Sequence, residues 1–219
     1  MVETTKLISI FIIIISIFGG ILAFYMMSDL PKEKRKRHIE EITSQLINFV
    51  LFIWMGKIIL NFPVFISDPL AILAYPSDSS AFYVAVLFSA LLLFYKSQRG
   101  QINVVLFIPS FIFVFLIASF LYEFMQFVWN DNTYSFGYMI LLAILLILFL
   151  TVQGRKGSNT LISALLIGWT LGIFIITTVQ PFVTVFGYMM KPWFVGVFFA
   201  MSFTLLIINQ RKSGYIERN

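Results

Sequence analysis

The sequence contains no cysteine and a single histidine, His38. Without cysteine, the chain cannot form disulfides, thiolate metal sites or thiol redox centres. One histidine in a strongly basic segment is also too few for a zinc or di-iron site. The sequence has no Ser/His/Asp set, no Gly-rich phosphate loop and no HExxH motif either. We therefore expect no metal and no cofactor.

Charged residues are also scarce, at 11% of the chain, whereas 60% of the residues are hydrophobic and 18% are aromatic. Soluble domains typically contain about 25% charged and about 45–50% apolar residues. A soluble chain of this length could not bury so much apolar surface, so a lipid bilayer must cover it. The composition predicts an all-α, polytopic membrane helix bundle.

Seven stretches are long and apolar enough, or nearly so, to cross a hydrocarbon core of about 30 Å as helices. They cover residues 6–27, 44–66, 81–96, 103–124, 135–153, 160–180 and 193–210. No segment between them is long enough to form a soluble domain. Residues 1–219 are therefore predicted to form a single integral membrane domain with seven transmembrane helices.

The lysines and arginines predict the orientation, because cations are retained on the cytoplasmic side of a membrane. In the seven-span arrangement, twelve of the fifteen cations fall on one side, in the predicted loops 28–43, 96–102 and 154–159 and in the C-terminal tail. The opposite side has only Lys6 and Lys191. We expect the N-terminus outside and the C-terminus in the cytoplasm of a multi-pass cell-membrane protein, of bacterial origin.

The densest group of cations directly follows the first predicted span. This basic cluster consists of Lys32, Lys34, Arg35, Lys36 and Arg37. Such a cluster can bind nucleic acid, but beside a span its ordinary roles are topology and contact with anionic lipid head groups. The sequence therefore predicts membrane phospholipids as partners and no nucleic acid. It leaves open whether another membrane or extracytoplasmic protein binds as well.

Lys57 lies roughly midway along the second predicted span. A lysine at the bilayer centre costs about 2.5–3.5 kcal/mol on insertion scales, so it usually faces a cavity or a partner. Asn61 lies one turn outward and Trp54 one turn inward along the same predicted helix. Together, Lys57, Asn61 and Trp54 are predicted to bind an anion or a lipid on a face that points into the bundle.

Glu123 is the one acidic residue in the outer part of a predicted span. The fourth span runs in the same direction as the second, so the carboxylate can approach Lys57, directly or through water. Two other interpretations remain open: a purely structural ion pair that locks helix packing, and a position in the outer interface beside Tyr122 and Trp129. Glu123 is also the candidate catalytic residue, as a general base.

Two stretches resemble the prolipoprotein diacylglyceryl transferase family, which has seven spans in this orientation. MGKIILNFPVFISDPLAILAYPSDSSAFYVAVLFSALLLFYKSQRG (55–100) is similar to its second span, outer segment and third span, and Lys57 falls near a family arginine. IPSFIFVFLIASFLYEF (108–124) is similar to a stretch that ends near a family glutamate, close to Glu123. The family's His-Gly-Gly and Gly-Arg-x-Gly-Asn motifs are replaced by SSAFYV and VFLIAS. The resemblance implies the fold and a lateral lipid-facing cavity, but not the transferase reaction.

These observations favour a non-catalytic or diverged lipid-handling or accessory protein with an outward-facing polar cavity around Lys57. An ammonium group suits an anionic head group as a point charge. One alternative is a membrane-embedded transferase that acts on a phospholipid, with Glu123 as the base. A second alternative is a small-solute transporter, for which discontinuous helices and polar groups at the midplane would be expected.

Overall fold

The structure, a computed structural model, describes residues 2–74, 78–152 and 158–216, with side chains over 8–72, 78–152 and 160–204. The helices are α1 (Val2–Met27), α2 (Lys32–Leu60), α3 (Phe62–Ser67), α4 (Ala71–Ala74), α5 (Ser79–Gln98), α6 (Val104–Trp129), α7 (Ser135–Val152), α8 (Ser158–Val179) and α9 (Pro192–Ile216). Two short strands, β1 (Thr184–Val185) and β2 (Tyr188–Met189), form a hairpin. The predicted all-α class is confirmed.

Six helices of the described chain are long and apolar enough to cross a membrane: α1, α2, α5, α6, α7 and α8. The apolar part of α9 that the structure describes is shorter, Pro192–Thr204. Large apolar side chains lie on the outside of the helices, and Phe18, Met26 and Val179 are 65%, 74% and 83% exposed. A bilayer accommodates such a surface, which water would not. The chain is therefore a multi-pass membrane protein.

The helices form two compact units. The inserted unit comprises Asp29–Phe107, and the terminal unit comprises Met1–Ser28 together with Ile108–Asn219. The boundary between them falls near the start of α6. The single membrane domain predicted from the sequence stays a prediction.

The basic segment of the inserted unit is helical, so the loop expected over residues 28–43 is wrong. α2 begins at Lys32, well before the predicted start of the second span at residue 44. Lysine, arginine and glutamate are good helix formers, and oppositely charged side chains four residues apart stabilise a helix. Two such ion pairs are present, Lys36–Glu40 at 3.9 Å and Arg37–Glu41 at 3.2 Å.

The stretch predicted as the second span, 44–66, is interrupted near its C-terminal end. α2 ends at Leu60, and α3 begins at Phe62 with Pro63 in its first turn. Proline has no N–H to donate, and its ring clashes with the carbonyl four residues earlier in a continuous helix. Pro63 therefore prevents α2 from continuing. The break places Lys57 in the last turn of α2 rather than in mid-helix.

α2 and α5 pack closely within the inserted unit. A Cβ atom added at Gly56 would lie only 3.0 Å from the carbonyl oxygen of Ala81, which is fully buried. The rings of Phe49 and Phe82 meet edge to face, with centroids 5.4 Å apart. Small residues thus let the two helix backbones approach next to Lys57.

In the terminal unit, α1 packs against α6 at Gly20, where an added Cβ would lie 2.7 Å from the carbonyl oxygen of Val114. The hairpin also packs against α6. Its turn consists of Phe186 (φ 50°) and Gly187 (φ 83°), and two-residue turns of this kind require positive φ at both positions. The ring of Phe186 contacts that of Tyr122, with centroids 5.4 Å apart.

Candidate functional site

Lys57 is buried in the protein, with 8% of its surface exposed. It lies in the last turn of α2. The C-terminal end of a helix carries a partial negative charge, so a cation in the last turn is favourable there. The burial of Lys57 and the break in α2 together explain how the chain tolerates an ammonium group within an apolar stretch.

The two residues predicted to accompany Lys57 occupy different surroundings. Asn61 is half-buried, and both its main-chain N–H and its side-chain Nδ2 donate to the carbonyl oxygen of Lys57 at 3.0 Å. Asn61 therefore caps the end of α2. Trp54 is 52% exposed and lies on the outer surface of the helix. Their part in anion or lipid binding stays a prediction.

Glu123 is almost completely buried, with 1% of its surface exposed. This burial places the carboxyl group inside the protein, and the alternative of a position in the outer interface stays open. Glu123 belongs to the terminal unit, whereas Lys57 belongs to the inserted unit. The ion pair between them stays a prediction.

The carboxyl group of Glu123 lies in polar surroundings within the terminal unit. The Ser135 hydroxyl at the start of α7 is adjacent to it, and the Tyr138 hydroxyl is within electrostatic range. The Ser135 hydroxyl is placed to hydrogen-bond with the Glu123 carboxyl group, whereas Glu123 Oε1 is buried without a hydrogen-bond partner in the described structure. Buried polar atoms without partners are rare in native proteins, so each one points to a ligand, a water or a strained site.

Two further buried oxygens of the terminal unit lack partners in the described chain, Ser119 Oγ and Gln180 Oε1. Ser119 precedes Glu123 by one turn of α6, and Gln180 directly follows the end of α8. The Gln180 side chain packs against Gly137, where an added Cβ would lie 3.0 Å from Nε2. No motif in the sequence singles out Ser119, Ser135 or Gln180 as a site residue.

Other polar groups nearby are satisfied. The Trp169 indole Nε1–H donates to the Tyr138 hydroxyl at 2.9 Å, which joins α8 to α7. Along α6, the Gln126 Nε2 donates to the Tyr122 hydroxyl at 2.8 Å, and Asn130 donates to Gln126 Oε1. These side chains are hydrogen-bonded to one another, whereas Ser119 Oγ, Glu123 Oε1 and Gln180 Oε1 have no hydrogen-bond partner in the described chain.

The basic cluster lies on the first two turns of α2, beside a cleft of about 320 Å³ in the inserted unit. Arg37, Glu40, Glu41, Ser44, Gln45, Lys96, Gln101 and Ile102 line this cleft. Gln45 is 5% exposed, and neither Oε1 nor Nε2 of its amide has a hydrogen-bond partner in the part of the chain that the structure describes. The sequence did not point to Gln45, because a single glutamine among helix-forming residues carries no motif.

Among the described residues, no three His, Cys, Asp or Glu side chains are grouped closely enough to share a metal ion. No protein-family model matches the chain, and no curated protein or solved structure is similar to it. The resemblance to the diacylglyceryl transferase family therefore stays a prediction. The geometry of the site carries the functional argument alone.

Proposed function

We propose that this chain is a seven-span protein of the cell membrane that holds the anionic head group of a phospholipid, with Lys57 as the cation. The observation that supports the proposal is the burial of Lys57, 8% exposed, at the broken end of α2. An ammonium group that protein shields from lipid tails can contribute a strong charge–charge interaction, because the surrounding dielectric is low.

The segment that follows Lys57 suits the acyl chains of the same lipid. Phe62 and Ile66 on α3 are 54% and 68% exposed, and Leu70 just after it is 74% exposed. Phe62 and Ile66 are four residues apart on α3 and so share one face of that helix. A lipid whose phosphate contacts Lys57 would lay its first methylenes against this apolar surface.

Lipid retention tests the proposal. The wild-type protein, Lys57→Ala and Lys57→Arg would be purified in a mild detergent, and bound lipids quantified by mass spectrometry. Lys191→Ala is the matched control, because Lys191 is an exposed lysine of the terminal unit. We expect Lys57→Ala to retain about tenfold less phosphatidylglycerol, equivalent to about 1.4 kcal/mol, and Lys57→Arg to retain most of it. Equal retention by wild type and Lys57→Ala would refute the proposal.

Orientation and span number belong to the same proposal and have their own test. Because the chain has no cysteine, single-cysteine variants can be labelled without background. With the N-terminus outside, a membrane-impermeant maleimide should label Thr133→Cys in intact cells. Gln101→Cys and Lys212→Cys should react only after permeabilisation. Labelling of Lys212→Cys in intact cells would mean that α9 does not cross the membrane.

A membrane-embedded transferase is a second candidate, supported by the Glu123 oxygen that lacks a hydrogen-bond partner in the described structure. Such an oxygen is available to accept a proton from a reacting group. Under this alternative, Glu123→Gln should abolish group transfer from a labelled phospholipid while protein yield and lipid retention stay at the wild-type level. Loss of yield alone would indicate a structural role for Glu123.

The transporter alternative is supported by the break between α2 and α3, because discontinuous helices are a feature of transporter binding sites. Uptake of candidate solutes into proteoliposomes under an ion gradient would test it. Absence of uptake, together with retained phosphatidylglycerol, would favour the lipid-holding function.

A further inference from the structure

The cleft of about 320 Å³ in the inserted unit lies between the N-terminal part of α2 and the C-terminal end of α5. Ser44, one of its lining residues, is about 20 Å from Lys57 along the axis of α2. The cleft and Lys57 are therefore two separate places on the same helix.

The end of α5 is shaped so that it borders this cleft. Gly100 has a φ of 66°, and its N–H donates to the Ser97 carbonyl oxygen at 3.0 Å. The next N–H, that of Gln101, donates to the Lys96 carbonyl oxygen at 3.0 Å. This pair of hydrogen bonds is the Schellman motif that ends many helices. It holds Gln101 beside the last turn of α5, so Gln101 and Lys96 line the same cleft.

Four charged side chains line the cleft, two of each sign: Arg37, Lys96, Glu40 and Glu41. Arg37 and Glu41 neutralise each other, with Nε and Oε1 3.2 Å apart. Lys96 is half-buried and forms no ion pair in the part of the chain that the structure describes. Glu40 pairs with Lys36 at 3.9 Å, but both side chains are exposed, and such pairs contribute little. One ammonium group and one carboxylate of the cleft are thus available to a ligand.

The cleft lies where the helices pass from polar to apolar sequence. The apolar run of α5 ends directly before Lys96, and that of α2 begins at Leu46. A neighbouring groove of about 390 Å³ shares Glu40 and Ser44 with the cleft and continues along α2 to Ile47, which is 58% exposed. A head group in the cleft would therefore have an apolar path for an acyl chain, toward the bilayer interior.

We infer that the cleft binds the head group of an aminophospholipid, which carries a phosphate diester and a primary ammonium group. Charged pockets between membrane helices are ordinary sites for lipid head groups. Lys96 binds the phosphate as a point charge, and Glu40 accepts hydrogen bonds from the ammonium group. Ser44 follows Glu40 by one turn of α2 and shares its face, so its hydroxyl can donate to a phosphate oxygen.

The lining of the cleft selects against other head groups. Glu40 and Glu41 repel a head group that is only anionic. Quaternary ammonium groups are typically held by aromatic side chains, and none is among the described residues that line the cleft. A lipid with both charges and a primary ammonium group fits best.

Binding of defined lipids tests the inference. The full chain in detergent would be titrated with phosphatidylethanolamine or phosphatidylglycerol, and bound lipid counted by native mass spectrometry. We expect saturable binding of phosphatidylethanolamine that Lys96→Ala and Glu40→Gln each weaken by about tenfold. Glu40→Gln leaves Lys96 in place, so it should also bind phosphatidylglycerol more tightly than the wild type does. A purely structural role for Glu40 would not produce this change of preference.

Controls separate the cleft from other charges. Lys34→Ala and Glu33→Gln change exposed residues of α2 that do not line the cleft, and both should bind phosphatidylethanolamine like the wild type. Each cleft variant would also be measured together with Lys57→Ala. That substitution should leave phosphatidylethanolamine binding unchanged, so failure of the proposed function at Lys57 is distinguishable from failure of this inference.

Three results would overturn the inference. The wild type would show no saturable binding of phosphatidylethanolamine, or the two cleft variants would bind it as tightly as their controls do. Alternatively, Glu40→Gln would keep the wild-type preference between the two lipids. Soluble phosphoethanolamine is the remaining probe and should compete only weakly, because it has no acyl chain. Competition at the same concentration as the lipid would mean that the ligand is a free zwitterion and would reject the lipid.

Discussion

The side-chain Nδ2 of Asn61 donates a hydrogen bond to the main-chain carbonyl oxygen of Lys57, 3.0 Å away, at the point where α2 ends. The main-chain N–H of Asn61 donates to the same oxygen. The carbonyl of Lys57 thus accepts two hydrogen bonds from one residue, and the side-chain bond adds to the ordinary main-chain helix bond. This cap holds the last turn of α2, and with it Lys57, in place.

Replacement of Asn61 by alanine should lower the free energy of unfolding by about 1 kcal/mol, because the side-chain hydrogen bond to the Lys57 carbonyl is lost. Chemical unfolding in detergent micelles would measure the change. Asn48→Ala is the control, since Asn48 is also a half-buried asparagine on α2. A loss no larger for Asn61→Ala than for Asn48→Ala would argue against the capping role.

Gly20→Ala should destabilise the protein by about 1–3 kcal/mol, a typical cost of overpacking. The added methyl group would lie 2.7 Å from the Val114 carbonyl oxygen, and a main-chain atom cannot move aside cheaply. Gly196→Ala is the matched variant, because a Cβ there meets nothing within 4 Å. It should be neutral, or stabilising by up to about 1 kcal/mol through helix propensity. Similar thermal midpoints for the two variants would contradict the close approach of α1 and α6.

Tyr138→Phe should cost about 1–3 kcal/mol, because the Trp169 indole N–H would lose its acceptor in a buried environment. Tyr134→Phe removes a hydroxyl from a side chain that is 45% exposed, so it should change stability little. Trp169 also supplies the readout, in a protein whose other three tryptophans are replaced by phenylalanine, since its fluorescence should shift when the hydrogen bond is removed. An unchanged spectrum in Tyr138→Phe would indicate that the bond is absent in solution.

Gln45→Leu should raise the free energy of unfolding by about 1 kcal/mol, because it removes two buried polar atoms that have no partner in the described chain. Gln101→Leu, an exposed residue of the same cleft, is the control and should have little effect. A destabilised Gln45→Leu variant would mean that a water or a small ligand normally satisfies the amide. In that case, ligand screening should start at this cleft.

Much of the helical framework could be predicted, because an apolar run long enough to span a bilayer forms a helix in nearly all cases. The start of α2 was missed because a dense run of cations around Arg35 was interpreted as a loop, although lysine, arginine and glutamate favour helices. The end of α2 was visible in principle, since Pro63 lies inside the predicted span. The predicted span 44–66 followed the high hydropathy of the stretch and did not take Pro63 into account.

The site was predictable only in part. Lys57 and Glu123 are charged residues within apolar stretches, so the sequence alone identifies them as candidates, and both are buried. Ser135 and Gln180 lie near the ends of helices, where polar residues are ordinary, and only the packing of α6, α7 and α8 makes them unusual. Whether a hydroxyl has a partner depends on contacts between distant segments, which local sequence does not specify.

The terminal unit is discontinuous, and this has a consequence for biogenesis. α1 is synthesised before α6, the helix against which Gly20 packs, and that part of α6 belongs to the portion beginning at Ile108. The ribosome must synthesise all of Asp29–Phe107 before this part of α6 exists. Until then, lipid tails or an insertion factor must occupy the glycine surface of α1, so α1 reaches this neighbour only after the inserted unit has been synthesised.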